Sequence, residues 1–324
     1  MPLIDSGYRA PPWLPGGHLQ TIAAARLIAA PTVAYRRERW CTPDADFIDL
    51  DFALPEPQSP AAPLLVLFHG LEGSSRSHYA RALMQAAAER GFRALVAHFR
   101  GCSGEPNLLP RAYHCGDSDE GDWILRRVHG RWPQAPLFAV GVSLGGNMLA
   151  KWLGERGADA SFVTAAASVG APLDLAAGGA AIGRGFARLY GTMFLRTLRP
   201  KALAKIERFA RLADADAIRA ARSLYDFDDA FTAPVHGFRN ADDYWARASA
   251  KPWLRAVRVP HLVLNARNDP FVPAASLPRA GEVSAAVRLE QPTAGGHIGF
   301  PQGPWPGRID FLPQRLLRFF THGA

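Results

Sequence analysis

Cysteine is scarce in this chain of 324 residues: Cys41, Cys102 and Cys115 are the only three, and no two of them form a C-x-x-C pair. That excludes a disulfide framework and the paired spacing of a zinc ribbon, so reduced thiols in a cytoplasm are expected, and neither a metal nor a cofactor is implied. Long apolar runs are missing too. Nowhere do about 18 uncharged apolar residues follow one another, the length a membrane-spanning helix requires. The opening Met1-Pro-Leu-Ile-Asp-Ser-Gly-Tyr-Arg-Ala10 has no basic stretch leading into a hydrophobic one, so no secretory leader is signalled. Internal repeats and low-complexity tracts are absent as well. What is present is the composition of a soluble globular protein, 48% hydrophobic and 20% charged, with ample material for a large core. The length suits one domain with an inserted cap.

Acidic residues are outnumbered, 29 against 37 basic ones, for a formal net charge of +8. Residues 182–222 carry ten basic side chains against three acidic (Glu207, Asp214, Asp216), so most of the excess lies in one stretch. Phe186, Leu189, Tyr190, Met193, Phe194 and Leu195 interleave with its arginines. Two readings are open. A helix could present an apolar face and a cationic rim to an anionic membrane as a peripheral contact, or it could pack on a sheet with a solvated Arg-rich face. Nucleic-acid binding is not expected, because no recognition motif accompanies the charge. Oligomeric state is not legible.

Along the chain, Pro11-Pro-Trp-Leu-Pro-Gly-Gly17 is irregular and His18-Leu-Gln-Thr-Ile22 leads into an Ala-rich helix. Residues 32–40 and 47–53 alternate apolar with polar around Pro43-Asp-Ala-Asp46, as an antiparallel hairpin does. Leu64-Leu-Val-Leu-Phe-His-Gly70 is a continuous apolar run, suited to a parallel strand buried on both faces. Helices near 78–90 and 117–131 and from Asn147 then alternate with strands at 94–99, 137–141 and 162–169. This βαβ rhythm predicts a mostly parallel, doubly wound α/β sheet, whose sites lie beyond the carboxyl ends of its strands. From Pro172 to Arg258 the rhythm stops, and helical patterns follow one another; 172–258 is expected to be a helical cap inserted into a single domain, 1–324. Strands resume at 261–265 and 286–290, and an amphipathic helix over 309–320 closes the chain.

Gly141-Val-Ser-Leu-Gly145 sits between the strand at 137 and a helix. In G-x-S-x-G the serine occupies a strained strand-to-helix turn that exposes its hydroxyl. Ser143 is the candidate nucleophile. Its base is expected at His297, in Ala294-Gly-Gly-His-Ile-Gly299 just after the last strand pattern; His18, His114 and His236 stay open. His98 reads as a core residue inside a strand, and His78, His129 and His322 as surface. The acid that orients the base is expected at Asp269, beyond the penultimate strand. Asn268-Asp-Pro270 also suits a simple turn, but the three residues jointly, each at a strand end and in the order Ser…Asp…His, favour the acid. The two oxyanion donors are expected to be the amides of Leu144 and Leu71, with His69 fixing the Leu71 loop by a hydrogen bond.

Gly17-His-Leu-Gln-Thr21, His69-Gly-Leu-Glu-Gly-Ser-Ser75, Phe99-Arg-Gly-Cys-Ser-Gly-Glu-Pro-Asn107, Tyr113-His-Cys-Gly-Asp117, Gly141-Val-Ser-Leu-Gly-Gly-Asn147, Phe227-Asp-Asp-Ala-Phe-Thr-Ala-Pro234 and Gly295-Gly-His-Ile-Gly-Phe300 together resemble the α/β-hydrolase superfamily. Within it they are similar to the branch of YheT-type hydrolases, eukaryotic abhydrolase-domain lipases and fungal acyl ester synthases. The resemblance spans roughly residues 16–300 and implies an α/β-hydrolase fold and a Ser–Asp–His esterase or lipase acting on small-molecule or lipid acyl esters through an acyl-enzyme. There are two departures. An amino-terminal membrane anchor of the eukaryotic kind is missing, which predicts a soluble enzyme, and His98 stands where the branch has Asn. His114-Cys-Gly-Asp-Ser-Asp119 also fits an acyltransferase pattern, H-x₄-D, but it leads into a helix beginning near Asp117, and an Asp or Ser cap at that helix start explains it better. Acyl transfer to an alcohol, or a non-catalytic ligand-binding protein on the same fold, are the alternatives.

Overall fold

Apolar runs without a polar break form the centre of one sheet. The protein is described here by a computed structural model, which covers residues 3–209 and 211–322. The first two residues of the opening segment, Ala210 within the basic stretch, and the last two residues lie outside them. The strands are β1 (Leu3–Ile4), β2 (Tyr35–Cys41), β3 (Phe47–Ala53), β4 (Leu64–Phe68), β5 (Arg93–Ala97), β6 (Leu137–Val142), β7 (Ala165–Val169), β8 (His261–Leu264) and β9 (Val287–Glu290). They form one sheet in the order β1-β9-β8-β7-β6-β4-β5-β3-β2, parallel except where β3 pairs with β2 and β5.

Every residue of β4 is fully buried, because both faces of the sheet are covered. Leu64, Val66 and Phe68 pack with α3 (Ser118–Arg131) and α4 (Leu144–Arg156), whereas Leu65 and Leu67 pack with α2 (His78–Ala88) and α11 (Phe311–His322). The period-2 alternation of a strand divides one apolar run between two cores. The polar residues of the hairpin also have partners. Arg37 faces Asp51 across the β2–β3 register and Arg39 faces Asp49, with guanidinium nitrogens 2.7 and 2.8 Å from the carboxylates.

The structure corrects several boundaries. The helix expected from Asn147 begins at Leu144, directly after Ser143, and the strand expected from Phe162 begins at Ala165. The two-residue β1, too short to give a periodic signal, adds a parallel edge beside β9. His18 lies in α1 (Gly17–Ile22), which runs on into a wider π turn at Ala23–Leu27.

Between β7 and β8 the chain is helical among the described residues: α5 (Leu175–Ile182), α6 (Arg188–Arg208), α7 (Ala215–Ala220), α8 (Leu224–Phe227), α9 (Ala233–Val235) and α10 (Ala241–Ala248). This insertion has its own small core of Leu195, Leu198, Ala202, Ile218, Phe227 and Phe231. The basic helix α6 packs chiefly on α5, α7 and α8, whereas the second of the two readings left open for it placed it on the sheet. Its apolar residues divide: Leu195 and Leu198 are buried, while Leu189 and Met193 are 55% and 46% exposed, as is Phe186, at 53%, in the turn just before it. No described helix is long and apolar enough to cross a membrane.

Asn147 ties the end of the insertion to the sheet. Fully buried in α4, it donates through Nδ2 to the carbonyls of Cys115 and Ala248, both at 2.8 Å, and accepts the Ala250 N–H on Oδ1 at 2.9 Å. Removing it strands three backbone groups, two of them buried and that of Cys115 half-buried, each worth about 1–3 kcal/mol. Asn147→Ala is therefore expected to lower stability in urea unfolding by at least about 3 kcal/mol; a loss under about 1 kcal/mol would contradict that.

Candidate active site

β6 ends at Val142, α4 begins at Leu144, and Ser143 between them has φ +53°, a left-handed backbone that non-glycine residues rarely adopt. Packing enforces it. A Cβ on Gly141 would lie 2.3 Å from the carbonyl oxygen of Gly145, and one on Gly145 would lie 2.4 Å from that of Phe68. Only glycines at both positions let the turn close against the end of β4. Hydrogen bonds then fix it: Ser143 N–H donates to Val169 O at 2.8 Å and Gly145 N–H to His69 O at 3.2 Å.

Ser143, His297 and Asp269, which sequence placed at three strand ends, meet in one hydrogen-bonded chain. Ser143 Oγ is 3.0 Å from His297 Nε2, and His297 Nδ1 is 2.8 Å from Asp269 Oδ2. The carboxylate only accepts, so it places the ring proton of a neutral imidazole on Nδ1 and leaves Nε2 free to accept from the serine. Asp269 Oδ1 accepts the N–H groups of Phe271 and Val272 at 2.7 and 3.3 Å, which sets the carboxylate plane. The Phe271 ring lies 4.2 Å from the imidazole, centroid to centroid. Both His297 and Asp269 are buried.

Residues from the amino-terminal end hold this pair in place, and sequence reasoning assigned them no role. His297 N–H donates to Thr21 Oγ1 at 2.8 Å, and Thr21 Oγ1 donates to Gly17 O at 2.7 Å. Gln20 Oε1 accepts Gly295 N–H at 2.8 Å and Asn268 Nδ2 at 3.0 Å, while Asn268 Oδ1 accepts Gly296 N–H at 3.0 Å. Gln20, Thr21 and Asn268 thus join the loop carrying His297 to the one carrying Asp269. The available signal was Gly17-His-Leu-Gln-Thr21, which stood out as a motif before its contacts were known. Gly17 itself admits no side chain, since a Cβ would lie 1.8 Å from Asn268 O.

The loop after β4 carries Leu71. His69 Nε2 accepts the Phe99 N–H at 3.1 Å, so its proton sits on Nδ1 and is donated to Gly70 O at 2.8 Å. Complete burial, with the charge of nearby His98 second, holds the His69 ring down to about 3: it is a fixed strut, not a base. Leu71 and Leu144 border the same cavity as Ser143, and the backbone N–H of neither has an acceptor among the described residues.

None of the other histidines bonds to Ser143. His18 Nδ1 is 3.3 Å from Tyr190 Oη; His114 and His236 lie 4.5 Å apart with their rings tilted by 59°, each pressed down to about 3 chiefly by burial. His98, expected within a strand, lies just after β5, buried, with Nε2 2.9 Å from Asp51. Only His322 of the three expected at the surface is exposed; His78 and His129 are half-buried, and burial followed by the neighbouring His297 holds His78 down to about 4. His114 and Asp119 make no bond to each other; Asp119 pairs with Arg156 at 2.5 Å. The expected helix cap there is corrected as well, since Asp117 bonds Arg111 and caps no backbone N–H of α3.

Above Ser143 opens a cavity of about 560 Å³. Ile182, Phe194, Leu198 and Phe231 of the insertion line it together with Leu71 and His297, so the walls are mainly apolar, with Glu72, Lys201, Lys205 and Asp228 among the polar exceptions. Burial raises the Asp228 carboxyl to about 6, although Thr232 Oγ1 and Trp245 Nε1 donate to it at 2.7 and 2.8 Å. No group of three or more His, Cys, Asp or Glu side chains among the described residues could hold a metal ion.

Comparison with known proteins points the same way. Residues 63–304 match the family described as the alpha/beta hydrolase fold. The chain is 38% identical to YheT of Escherichia coli over 86% of this chain and 82% of that one, and 30% identical to human phospholipase ABHD3 over 98% and 79%. In structure it is similar to the Pyrococcus furiosus esterase Pf2001, with a TM-score of 0.56, 14% identity, and coverage of 91% and 95%. Thr21→Val should keep the fold but release the His297 loop, lowering turnover by up to about 10²-fold in steady-state kinetics; an unchanged kcat would show that Thr21 does not position His297.

Proposed function

The chain belongs to the alpha/beta hydrolase family, in the branch that contains YheT and its abhydrolase-domain relatives, and from that starting point we propose that it hydrolyses carboxylic esters through Ser143, His297 and Asp269. The observation that carries the proposal is the unbroken chain from Ser143 Oγ through His297 to Asp269, at 3.0 and 2.8 Å, opening on an apolar cavity. A relative named as a phospholipase supports a lipid or other acyl ester as substrate.

In the proposed reaction His297 Nε2 takes the Ser143 proton as Oγ attacks the ester carbonyl carbon. Asp269 stabilises the imidazolium. The Leu71 and Leu144 N–H groups receive the oxyanion, each such donor being worth about 10²–10³ in rate. The imidazolium returns its proton to the departing alcohol, leaving an acyl group on Ser143. Water, deprotonated by His297, attacks that acyl carbon; the acid leaves and Ser143 regains its proton. An alcohol taking the place of water would give acyl transfer at the same serine, which is the second reading.

Residues 172–258 serve, in this proposal, as a cap belonging to the one domain and shaping the acyl site, since Ile182, Phe194, Leu198 and Phe231 line the same cavity as Ser143. The same insertion is proposed to touch an anionic membrane: Phe186, Leu189 and Met193 are exposed beside Arg184, Arg188 and Arg196, the pattern of an interfacial helix. Three free thiols suit a cytoplasmic setting.

Ser143→Ala should reduce hydrolysis of a p-nitrophenyl acyl ester by roughly 10⁶-fold with an unchanged circular dichroism spectrum, and a fluorophosphonate should label Ser143 only when His297 is present. Retained activity would remove Ser143 from the mechanism. Cosedimentation with vesicles containing anionic lipid should be lost when Arg196 and Arg199 are changed to Gln, whereas binding that ignores both charge and salt would count against the membrane contact.

A further inference from the structure

We infer that Glu72 is a positioning residue which aims the Leu71 N–H, and that the insertion completes the oxyanion hole by holding Glu72 through Lys201. The inference rests on the proposed ester hydrolysis and names a part of the site that the Ser–His–Asp chain does not include.

The geometry starts from one peptide plane. The C=O of Gly70 and the N–H of Leu71 belong to the same planar trans peptide and point in opposite directions. Gly70 O accepts from His69 Nδ1 at 2.8 Å and from Gly73 N–H at 2.9 Å, so its direction is fixed from behind. The Leu71 N–H must then project the other way. The Gly73 bond closes a turn over Gly70-Leu71-Glu72-Gly73 that needs a left-handed residue at its third position, normally Gly or Asn. Glu72 stands there with φ +54°.

A glutamate in a glycine position requires something to hold it, and three contacts do. Glu72 N–H donates to Tyr113 Oη at 2.9 Å; the Tyr113 hydroxyl donates to Glu72 Oε1, also at 2.9 Å; Lys201 Nζ reaches Oε2 at 2.9 Å and Oε1 at 3.0 Å. Tyr113 is backed by Phe99, with rings 5.3 Å apart and nearly parallel, and the Phe99 N–H is the group that sets the His69 tautomer. Lys201 comes from α6 in the insertion. The Glu72 side chain is only 9% exposed, whereas the Lys201 side chain is 45% exposed, so the carboxylate is shielded from water and the ammonium is not. Glu72, Tyr113 and Lys201 all border the cavity that holds Ser143.

The test compares Glu72→Gly with Glu72→Ala, together with Lys201→Met, Lys201→Arg and Tyr113→Phe. Readouts are kcat and KM on a p-nitrophenyl ester and inhibition by an alkyl trifluoromethyl ketone, which adds to the serine and places an oxyanion where the substrate's forms. Glycine accepts φ +54° and alanine does not, so Glu72→Gly should be the more active of the pair. Lys201→Met and Tyr113→Phe should each lower kcat on the order of 10- to 100-fold, less than the loss of a whole donor. KM should stay within about twofold and the ketone should weaken by the same factor as kcat, with Lys201→Arg restoring both. Glu72→Ala as active as Glu72→Gly, or kcat falling with ketone affinity unchanged, would overturn the inference. Failure of the underlying ester-hydrolase reading would look different: the unaltered protein would be insensitive to the ketone, and Ser143→Ala would be as active as the parent.

Discussion

The site depends on the left-handed turn at Ser143. A non-glycine residue does not hold φ +53° unaided; here it is held because Gly141 and Gly145 let the ends of β4 and β6 come together, and because Val169 O and His69 O take the turn's N–H groups. The parallel pairing of β4 with β6 and of β6 with β7 is therefore part of the site as well as of the core. The buried centre of the sheet supplies the rigidity that a strained, exposed hydroxyl needs. Residues that only fill space, such as Val66 and Leu67, contribute by keeping those strand ends in register.

Around this turn the chain closes twice. From the amino-terminal side, Gln20 and Thr21 pin the loops of Asp269 and His297. From the insertion, Lys201 reaches Glu72 in the loop after β4, while Asn147 anchors the end of the insertion on α4, the helix that begins at Leu144. Both closures join segments far apart in sequence; apart from the exposed Lys201–Glu72 contact their hydrogen bonds are buried or half-buried, and such bonds are costly to leave unmade. The constellation is thus held from two directions, and the apolar cavity is its open face.

Much of this was legible in the sequence, for identifiable reasons. Continuous apolar runs mark two-sided parallel strands, G-x-S-x-G marks a turn with one steric solution, and residues just past strands fall at one edge of the sheet. Those patterns place Ser143, Asp269 and His297 at one edge of the sheet. Side-chain bonds to distant backbone carry no period, so the roles of Gln20, Thr21 and Asn268 were hidden even though their motif stood out. The same limit misplaced His78 and His129, whose half-buried state depends on what packs over them, and gave Asp117 a capping role when Arg111 claims its carboxylate. Burial of α6 against its own insertion instead of the sheet was likewise invisible, because amphipathic spacing identifies a buried face and not its partner.

The central claim is that Ser143 carries the acyl group of an ester during turnover. It is tested most directly by acid-quenching the protein during reaction with a slowly deacylating p-nitrophenyl ester and locating the acyl group by peptide mass spectrometry. The account predicts an added mass equal to one acyl group on the peptide containing Ser143, appearing with the p-nitrophenolate burst and absent from His297→Ala. Turnover with Ser143 unmodified, or an acyl group found on Cys102 or Cys115 instead, would contradict it.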